Sequence, residues 1–213
     1  MQMTMIFQLA LDRFSIEEAL QMARNCQEEA DWIEIGTSLI KEFGMESVLA
    51  FREAFPQKFL LADTKTIDNA IYEAKIAYEA GADAITVMGC GPAVTIDLVA
   101  EEARKRSKTY MIDLLNTKPA EQQKLRETFP DAVFCLHTSK DMQEHGNHEA
   151  NSSAISWQGR RLAIAGGIQA ETIGSLTRAL HPEIYIIGGA ITKADNPLAA
   201  AQRLRQCAIS TEE

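Results

Sequence analysis

The chain lacks the features that mark several classes of protein. No run approaches the roughly 20 apolar residues that a membrane-spanning helix needs. Basic residues are in the minority, with 21 Lys and Arg against 30 Asp and Glu and a formal net charge of -9. A nucleic-acid-binding protein needs a basic face, so this balance argues against that class. An acidic protein can still bind an anionic metabolite through a local positive site or a metal ion.

Cysteine is scarce, and its spacing suggests neither a disulfide framework nor a metal site. Four residues lie far apart without a C-x-x-C motif, namely Cys26, Cys90, Cys135 and Cys207. This usage is typical of reduced thiols and predicts a cytoplasmic protein. The first residues contain no basic leader, and their apolar run ends at Asp12. We therefore expect a first strand there and not a signal peptide.

Eight short runs rich in Ile, Val and Leu alternate with segments of helical spacing. The runs cover 6–12, 31–36, 58–63, 83–88, 108–114, 132–137, 161–166 and 183–188. Helices are predicted from Ser15 onward and over 40–55, 68–80, 93–106, 118–128, 169–180 and 195–208. The segment 141–158 is polar, and part of it is predicted to be loop. Without a linker, eight such units predict an α/β protein with a single (β/α)8 TIM barrel, one domain over residues 1–213.

Polar side chains and glycines lie at the ends of these predicted strands. Barrels of this class place their active sites at the C-terminal ends of the strands. Carboxylates, a lysine and a histidine occupy the earlier ends, and glycine pairs occupy the last two. The residues are Asp12, Glu34, Asp63, Lys65, Asp113, His137, Gly166, Gly167, Gly188 and Gly189. We therefore expect one site at this end of the barrel.

The acidic residues at the first strand ends suggest a metal site. Glu34 and Asp63 stand on adjacent strands and suit Mg²⁺, which takes a few protein oxygens and retains waters. Alternatively, Glu34 is an interior carboxylate paired with a basic group. Lys65 is expected to balance the charge and to face a developing oxyanion. Asp12 is expected to orient Lys65 through an ion pair.

The later strand ends suggest proton transfer and phosphate binding. His137 is a candidate general acid or base, the alternative being a hydrogen-bonded core residue. Asp113 either binds substrate hydroxyls or forms a buried salt bridge. Two glycine pairs on adjacent strands predict a phosphate site after strands 7 and 8. The whole set fits metal-assisted chemistry on a small phosphorylated polyhydroxy compound, which includes aldol, decarboxylation and isomerisation reactions.

These residues stand in motifs that resemble the 3-hexulose-6-phosphate synthases, a branch of the orotidine 5′-monophosphate decarboxylase suprafamily. The motifs are LALD (9–12), IEIGTSLI (33–40), LADTKTID (61–68), AGADAITV (80–87), MIDLLN (111–116), CLHTSKDMQ (135–143), AIAGGI (163–168) and IIGGAITKADNP (186–197). The resemblance implies a barrel homodimer with Mg²⁺ held by Glu34 and Asp63. It places Lys65 and Asp68 in a shared D-x-K-x-x-D motif and implies that Asp68 reaches the partner's active site.

Three branches of the suprafamily differ at identifiable positions. The orotidine decarboxylases are expected to carry Lys in place of Glu34 and to use no metal. The 3-keto-L-gulonate-6-phosphate decarboxylases are expected to carry Glu in place of Asp113 and Arg in place of Gly189, so both positions here resemble the synthases. Lys140 departs from the synthase pattern, and a cation there could steer a water toward an enediolate, which favours decarboxylation.

The resemblance implies a reversible aldehyde-lyase. It would join formaldehyde to D-ribulose 5-phosphate to give D-arabino-hex-3-ulose 6-phosphate, with His137 removing a C1 proton. Asp113, Lys140 and the glycine pairs would bind the substrate. Two alternatives stay open: decarboxylation of 3-keto-L-gulonate 6-phosphate to L-xylulose 5-phosphate, and a phosphosugar-binding protein without catalysis. Thr64 and Thr66 replace the apolar residues usual beside Lys65.

Overall fold

A computed structural model describes residues 5–145 and 153–210. Its strands are β1 (Ile6–Leu11), β2 (Trp32–Ile35), β3 (Phe59–Thr66), β4 (Ala84–Met88), β5 (Thr109–Asp113), β6 (Val133–His137), β7 (Arg161–Ala165) and β8 (Ile184–Ile187). Each strand pairs in parallel with the next, and β8 pairs with β1 to close the barrel. This confirms the predicted (β/α)8 architecture.

Helices follow the strands and cover the outside of the barrel. They are α1 (Ile16–Cys26), α2 (Thr37–Phe43), α3 (Met45–Ala54), α4 (Ala70–Glu79), α5 (Ala93–Lys105), α6 (Pro119–Thr128), α7 (Lys140–Glu144), α8 (Ala170–Leu180), α9 (Gly189–Thr192) and α10 (Pro197–Ile209). Among residues 5–145 and 153–210, no helix has the length and apolarity required to cross a bilayer.

Two helical features differ from the expectation. The helix predicted over 40–55 is two helices, α2 and α3, because Gly44 adopts a φ of 61° and interrupts the helical hydrogen bonding between them. The short helix α9 was not predicted, since four residues are too few for a periodic pattern. Part of the polar segment 141–158 lies in α7, and residues 146–152 lie outside the described residues.

Helix α1 begins directly after its capping residue Ser15, as the sequence predicts. The Ser15 hydroxyl accepts a hydrogen bond from the Glu18 N–H at 3.3 Å, and the Glu18 carboxylate accepts one from the Ser15 N–H at 2.9 Å. This reciprocal capping box satisfies two N-terminal backbone donors. Ala19, Ala23 and Cys26 then follow at helical spacing and are buried.

Each strand is buried on both faces, which explains the nearly continuous apolar runs. One set of alternate residues packs inside the barrel, including Leu61, Met111 and Val133, and the other packs against the helices. The inner face changes character toward the C-terminal ends of the strands. There the buried residues are polar, and they carry the candidate active site.

Asp83 lies just before β4, at the end of the barrel opposite the candidate active site. Its carboxylate links three separate segments of the chain. It accepts hydrogen bonds from Arg52, from Lys108 Nζ at 2.7 Å and from the Leu60 N–H at 3.0 Å. Burial alone would raise the pKa of Asp83, but these donors outweigh burial and lower the pKa. The ionised carboxylate therefore stabilises the fold.

We expect Asp83→Asn to lower the free energy of unfolding at pH 7 by about 2–3 kcal/mol. A carboxyl whose pKa is lowered by folding stabilises above its unfolded pKa of about 3.9 and loses this effect as the pH falls through the folded pKa. The deficit should therefore shrink between about pH 5 and pH 3, as measured by urea unfolding. Glu42→Gln, an exposed change in α2, is the matched control. A deficit that does not vary with pH would contradict the ionic role.

Candidate active site

Asp63 and Lys65 lie two residues apart on β3, so the strand repeat puts both on the inner face. Lys65 Nζ contacts Asp63 Oδ1 at 3.0 Å and Oδ2 at 2.7 Å. The pairing of β3 with β4 shifts register between Ala62 and Thr66. Within this irregular stretch Lys65 adopts a φ of 45°. This left-handed conformation is costly for any residue that has a Cβ atom.

Neighbouring hydroxyl groups hold this unusual backbone and the Asp63 carboxylate. Thr86 Oγ1 accepts a hydrogen bond from the Lys65 N–H at 2.8 Å and donates one to Asp63 Oδ1 at 2.7 Å. Thr37 Oγ1 donates to Asp63 Oδ2 at 2.6 Å. The left-handed residue is thus fixed by its surroundings, as expected of strain at a functional site.

Lys65 also reaches across the barrel to Asp113 on β5, at 3.2 Å between Nζ and Oδ2. Burial alone would lower the pKa of Lys65, but the nearby carboxylates of Asp63 and Asp113 outweigh it and raise the pKa. The ammonium group therefore keeps its proton. It is the central positive charge of the site.

Asp113 also determines which nitrogen of His137 carries a proton. Its Oδ2 lies 2.8 Å from His137 Nδ1, and its Oδ1 accepts from the Leu115 N–H at 2.9 Å. Burial would raise the pKa of Asp113, but the bonds to His137 and the Lys65 charge lower it. An ionised carboxylate only accepts hydrogen bonds, so Nδ1 must donate. Neutral His137 then presents an unprotonated Nε2, the form that acts as a base.

Glu34 on β2 is buried beside Asp63. Gln8 Nε2 donates to Glu34 Oε2, while Gln8 Oε1 is buried and has no hydrogen-bond partner among the described residues. Burial and the Asp63 charge raise the pKa of Glu34 to about 8. Two carboxylates and a free amide oxygen thus share one buried region, where a cation would relieve the repulsion between the carboxylates.

This donor set fits a hard divalent cation. Within residues 5–145 and 153–210, no cluster of three or more His, Cys, Asp or Glu residues could hold a metal. A cation here would therefore rely on the two carboxylates, with water and substrate oxygens as further ligands. Mg²⁺ accepts such a set because it retains several waters.

The predicted ion pair between Asp12 and Lys65 is wrong. Asp12 Oδ1 instead accepts hydrogen bonds from Ser38, at 3.0 Å from the N–H and 2.7 Å from Oγ. Its side chain lies against Gly36, beyond the end of β1. Lys65 is oriented by Asp63 and Asp113 because their strands bring them directly to it.

Asp68 lies apart from the other site residues of its own chain. It is exposed, and its Oδ1 accepts a hydrogen bond from the Asn69 N–H at 2.8 Å. Thr66, just before it, donates to Glu73 Oε2 at 2.6 Å and contacts Thr64. Thr66 thus anchors the end of β3 to α4, whereas Thr64 anchors it to β4 by donating to the Thr86 carbonyl at 2.8 Å.

The two glycine pairs form adjacent corners at the same end of the barrel. Gly166 has a φ of 87°, and a Cβ there would collide with the carbonyl oxygen of Thr138. Gly188 follows β8 and caps the four-residue helix α9, which begins at Gly189. Lys140, the first residue of α7, brings its Nζ over Gly189. The corners and Lys140 are therefore neighbours, as the strand ends predict.

Comparisons with known proteins show the family to which the chain belongs. The model of the orotidine 5′-phosphate decarboxylase / HUMPS family matches residues 5–204. The chain belongs to this family. It is 35% identical to the 3-hexulose-6-phosphate synthase of Bacillus subtilis over 209 residues, which cover 96% of this chain and 99% of the relative. The family and this relative are lyases, and the chain is accordingly an enzyme of the lyase class.

Solved structures of the family superpose closely on the barrel. The 3-hexulose-6-phosphate synthase from Salmonella typhimurium has a TM-score of 0.87 at 29% identity, covering 97% of this chain and 100% of the other. The 3-keto-L-gulonate-6-phosphate decarboxylase from Vibrio cholerae has a TM-score of 0.86 at 27% identity, covering 98% and 99%. The fold alone therefore does not separate the two reactions.

Sequence reasoning missed several residues of this family site: Gln8, Thr37, Ser38 and Thr86. Gln8 and Thr86 carried a usable signal, because each is a polar residue at an inward-facing position of an apolar strand. Thr37 and Ser38 carried none, since hydroxyl residues at the start of a helix are usual. Only their contacts with Asp63 and Asp12 reveal them.

We expect Thr86→Val to lower the free energy of unfolding by about 1–3 kcal/mol, because the Lys65 N–H and Asp63 each lose a partner. Turnover should also fall, since the Lys65 backbone and the Asp63 carboxylate that orients the Lys65 ammonium group are each held less firmly. Thr86→Ser retains the hydroxyl and should behave like the parent. Thr109→Val, at the other end of the barrel, is the matched control. Urea unfolding and steady-state kinetics measure both effects, and a stable, fully active Thr86→Val variant would contradict the role given to Thr86.

Proposed function

We propose that this lyase is a Mg²⁺-dependent aldolase that condenses formaldehyde with D-ribulose 5-phosphate to give D-arabino-hex-3-ulose 6-phosphate, and runs the reverse. The observation that carries the proposal is the chain of contacts from His137 through Asp113 to Lys65 and Asp63. The His137 imidazole and the Lys65 ammonium group share one small volume beside Glu34, which supports a base and an oxyanion-stabilising cation in these roles. The names of the most similar relatives support the same reaction.

The side chains of the site divide the reaction between them. His137 Nε2 takes a proton from C1 of the pentulose phosphate, and the negative charge that develops at O2 is stabilised by Lys65. The C1 carbon of the enediolate then attacks formaldehyde and forms the new carbon–carbon bond. The proton on His137 passes to the resulting alkoxide. Asp113 stabilises the imidazolium in the meantime.

Glu34 and Asp63 would hold the Mg²⁺ ion. A bound ion would supply Lewis-acid polarisation of the substrate and so would favour removal of the C1 proton. Lys65 remains necessary because it neutralises Asp63 and Asp113, which would otherwise repel the developing negative charge. This division explains why the site combines a lysine with carboxylates.

Decarboxylation of 3-keto-L-gulonate 6-phosphate is the competing proposal, since it needs the same enediolate. Asp113 argues against it here. Both Asp113 oxygens are engaged by Lys65, His137 and the Leu115 N–H. The carboxylate therefore orients His137 as a base. Formaldehyde condensation requires such a base to remove the C1 proton, whereas loss of CO₂ requires no proton removal.

We expect formaldehyde consumption in the presence of D-ribulose 5-phosphate, loss of activity with EDTA and recovery with added Mg²⁺. Lys65→Ala should lower kcat by roughly 100- to 1,000-fold, because one stabilising donor of the developing oxyanion is lost. A colorimetric formaldehyde assay measures each rate. Lys41→Ala, an exposed lysine in α2, serves as the matched control.

Three outcomes would count against this assignment. Turnover that EDTA leaves intact would exclude the metal. Faster release of CO₂ from 3-keto-L-gulonate 6-phosphate than consumption of formaldehyde, measured on the same preparation, would assign the decarboxylase reaction instead. Sugar phosphate binding without either reaction would support the alternative of a phosphosugar-binding protein without catalysis.

We also propose that the enzyme works as a homodimer with active sites at the interface. Three large apolar side chains flank Asp68 on the surface, with Ile67 52%, Ile71 51% and Tyr72 59% exposed. Such a group is costly in water and fits a second copy of this chain. A copy packed there would cover the surface around Asp68 and bring its carboxylate toward the partner's site.

Mixing two inactive variants tests this arrangement. If Asp68 acts in the partner's site, a dimer of one Lys65→Ala subunit and one Asp68→Ala subunit contains one intact site. Unfolding and refolding an equal mixture should then recover roughly a quarter of the wild-type activity, since about half the dimers are mixed. Each variant refolded alone is the control. No recovery, with mixed dimers verified by mass spectrometry, would place Asp68 in its own subunit's site, and full activity of Asp68→Ala refolded alone would place it outside catalysis.

A further inference from the structure

Strand β3 bulges at Lys65. Ala62 pairs with Ile85 and Thr66 pairs with Val87, so four steps along β3 correspond to two steps along β4. The additional residues on β3 have no partners in the regular ladder, and the strand bends where they lie. Contacts outside the ladder must therefore hold the backbone of Lys65 in its left-handed conformation, which is unfavourable in itself.

Two of these contacts lead to the neighbouring strand β4. The Lys65 N–H donates a hydrogen bond to Thr86 Oγ1 at 2.8 Å, and Thr64 Oγ1 donates one to the Thr86 carbonyl at 2.8 Å. Both contacts hold the chain at Lys65 and at the residue before it. Another element holds the residue after it, Thr66.

Helix α4 supplies that contact through Glu73. Thr66 is buried, and its hydroxyl donates a hydrogen bond to Glu73 Oε2 at 2.6 Å. Glu73 is half-buried in the first turn of α4, where a carboxylate is favourable for the helix dipole whatever it contacts. Among the residues that the structure describes, no lysine or arginine pairs with Glu73. The bond to Thr66 is thus the specific interaction of this side chain.

The Thr66 hydroxyl has a single proton and two neighbouring acceptors. Thr64 Oγ1 lies 3.1 Å from Thr66 Oγ1 and gives its own proton to the Thr86 carbonyl. The Glu73 carboxylate is the nearer and stronger acceptor, so it takes the Thr66 proton. Without Glu73 the proton would turn to Thr64 and draw together the two residues that flank Lys65. Glu73 therefore keeps these flanking residues apart.

We infer that Glu73 is a positioning residue for Lys65. Glu73 lies outside the barrel and acts through Thr66 on the backbone from which the Lys65 ammonium group reaches Asp63 and Asp113. The consequence for turnover rests on the proposed function, in which Lys65 stabilises a developing oxyanion. The consequence for the backbone follows from the hydrogen bonds alone.

Amide hydrogen exchange, followed by NMR, measures this role without turnover. We expect Glu73→Met and Thr66→Val each to make the Lys65 N–H exchange about tenfold faster, the effect of losing one hydrogen bond to a carboxylate. The Leu60 N–H, at the other end of β3, should exchange at the parental rate. Thr66→Ser and Glu73→Gln retain the donor and the acceptor and should resemble the parent. Glu17→Met changes an exposed first-turn glutamate of α1 and is the matched control.

Steady-state kinetics give a second measure. Glu73→Met and Thr66→Val should each lower kcat about tenfold, whereas the KM for D-ribulose 5-phosphate should change far less because the groups that bind substrate remain. The double variant should also lose about tenfold and not about a hundredfold, since both changes break the same hydrogen bond.

Three results would overturn the inference. One is a parental exchange rate at Lys65 in both single variants. Another is equal acceleration at Lys65 and Leu60, which would show a general loss of stability. The third is a double variant whose loss of kcat is the product of the two single losses. Failure of the proposed function is distinguishable, because faster exchange at Lys65 in a protein that consumes no formaldehyde leaves the role of Glu73 standing and removes the aldolase assignment.

Discussion

The ammonium group of Lys65 is the charge on which the arrangement of the site depends. Three carboxylates, Glu34, Asp63 and Asp113, are buried at the C-terminal end of the barrel. Buried carboxylates repel one another and are costly to desolvate, and removing the partner of such a group costs about 3–5 kcal/mol. Lys65 contacts two of them directly and lowers the pKa of Asp113. The tautomer of His137 follows from the ionised state of Asp113.

The position of that charge depends on an irregularity in β3. Lys65 has a left-handed backbone within a strand whose register shifts. Thr86 from the next strand accepts the N–H that the irregular backbone would otherwise leave without a partner. The site is therefore built into the rigid barrel and does not depend on loop conformation. Thr64 adds a second bond to β4, and Thr66 extends the support to α4, which follows Asp68.

Sequence reasoning located most of this site because strand ends of a parallel barrel meet on one side. Glu34, Asp63, Asp113 and His137 were identified by their position after apolar runs, and their side chains do meet. Asp12 shows the limit of that reasoning. It follows its strand by the same rule, yet it accepts hydrogen bonds from Ser38 in the first turn of α2. Which acid pairs with Lys65 depends on a few ångströms of side-chain reach, and spacing along the chain does not contain that information.

The sequence by itself determined the barrel, the order of its strands and the end at which the site lies, because hydrophobic periodicity and parallel connections leave few other arrangements. The end of α2 at Gly44 could not be recognised from the sequence, because a single glycine inside a helical pattern is ambiguous. The tertiary structure alone decided that Thr86 supports Lys65, that Asp113 sets the proton on His137 and that Lys140 meets Lys193 over Gly189. These pairs are separated by 21, 24 and 53 residues, and only closure of the barrel brings such distant side chains within about 4 Å of a common point.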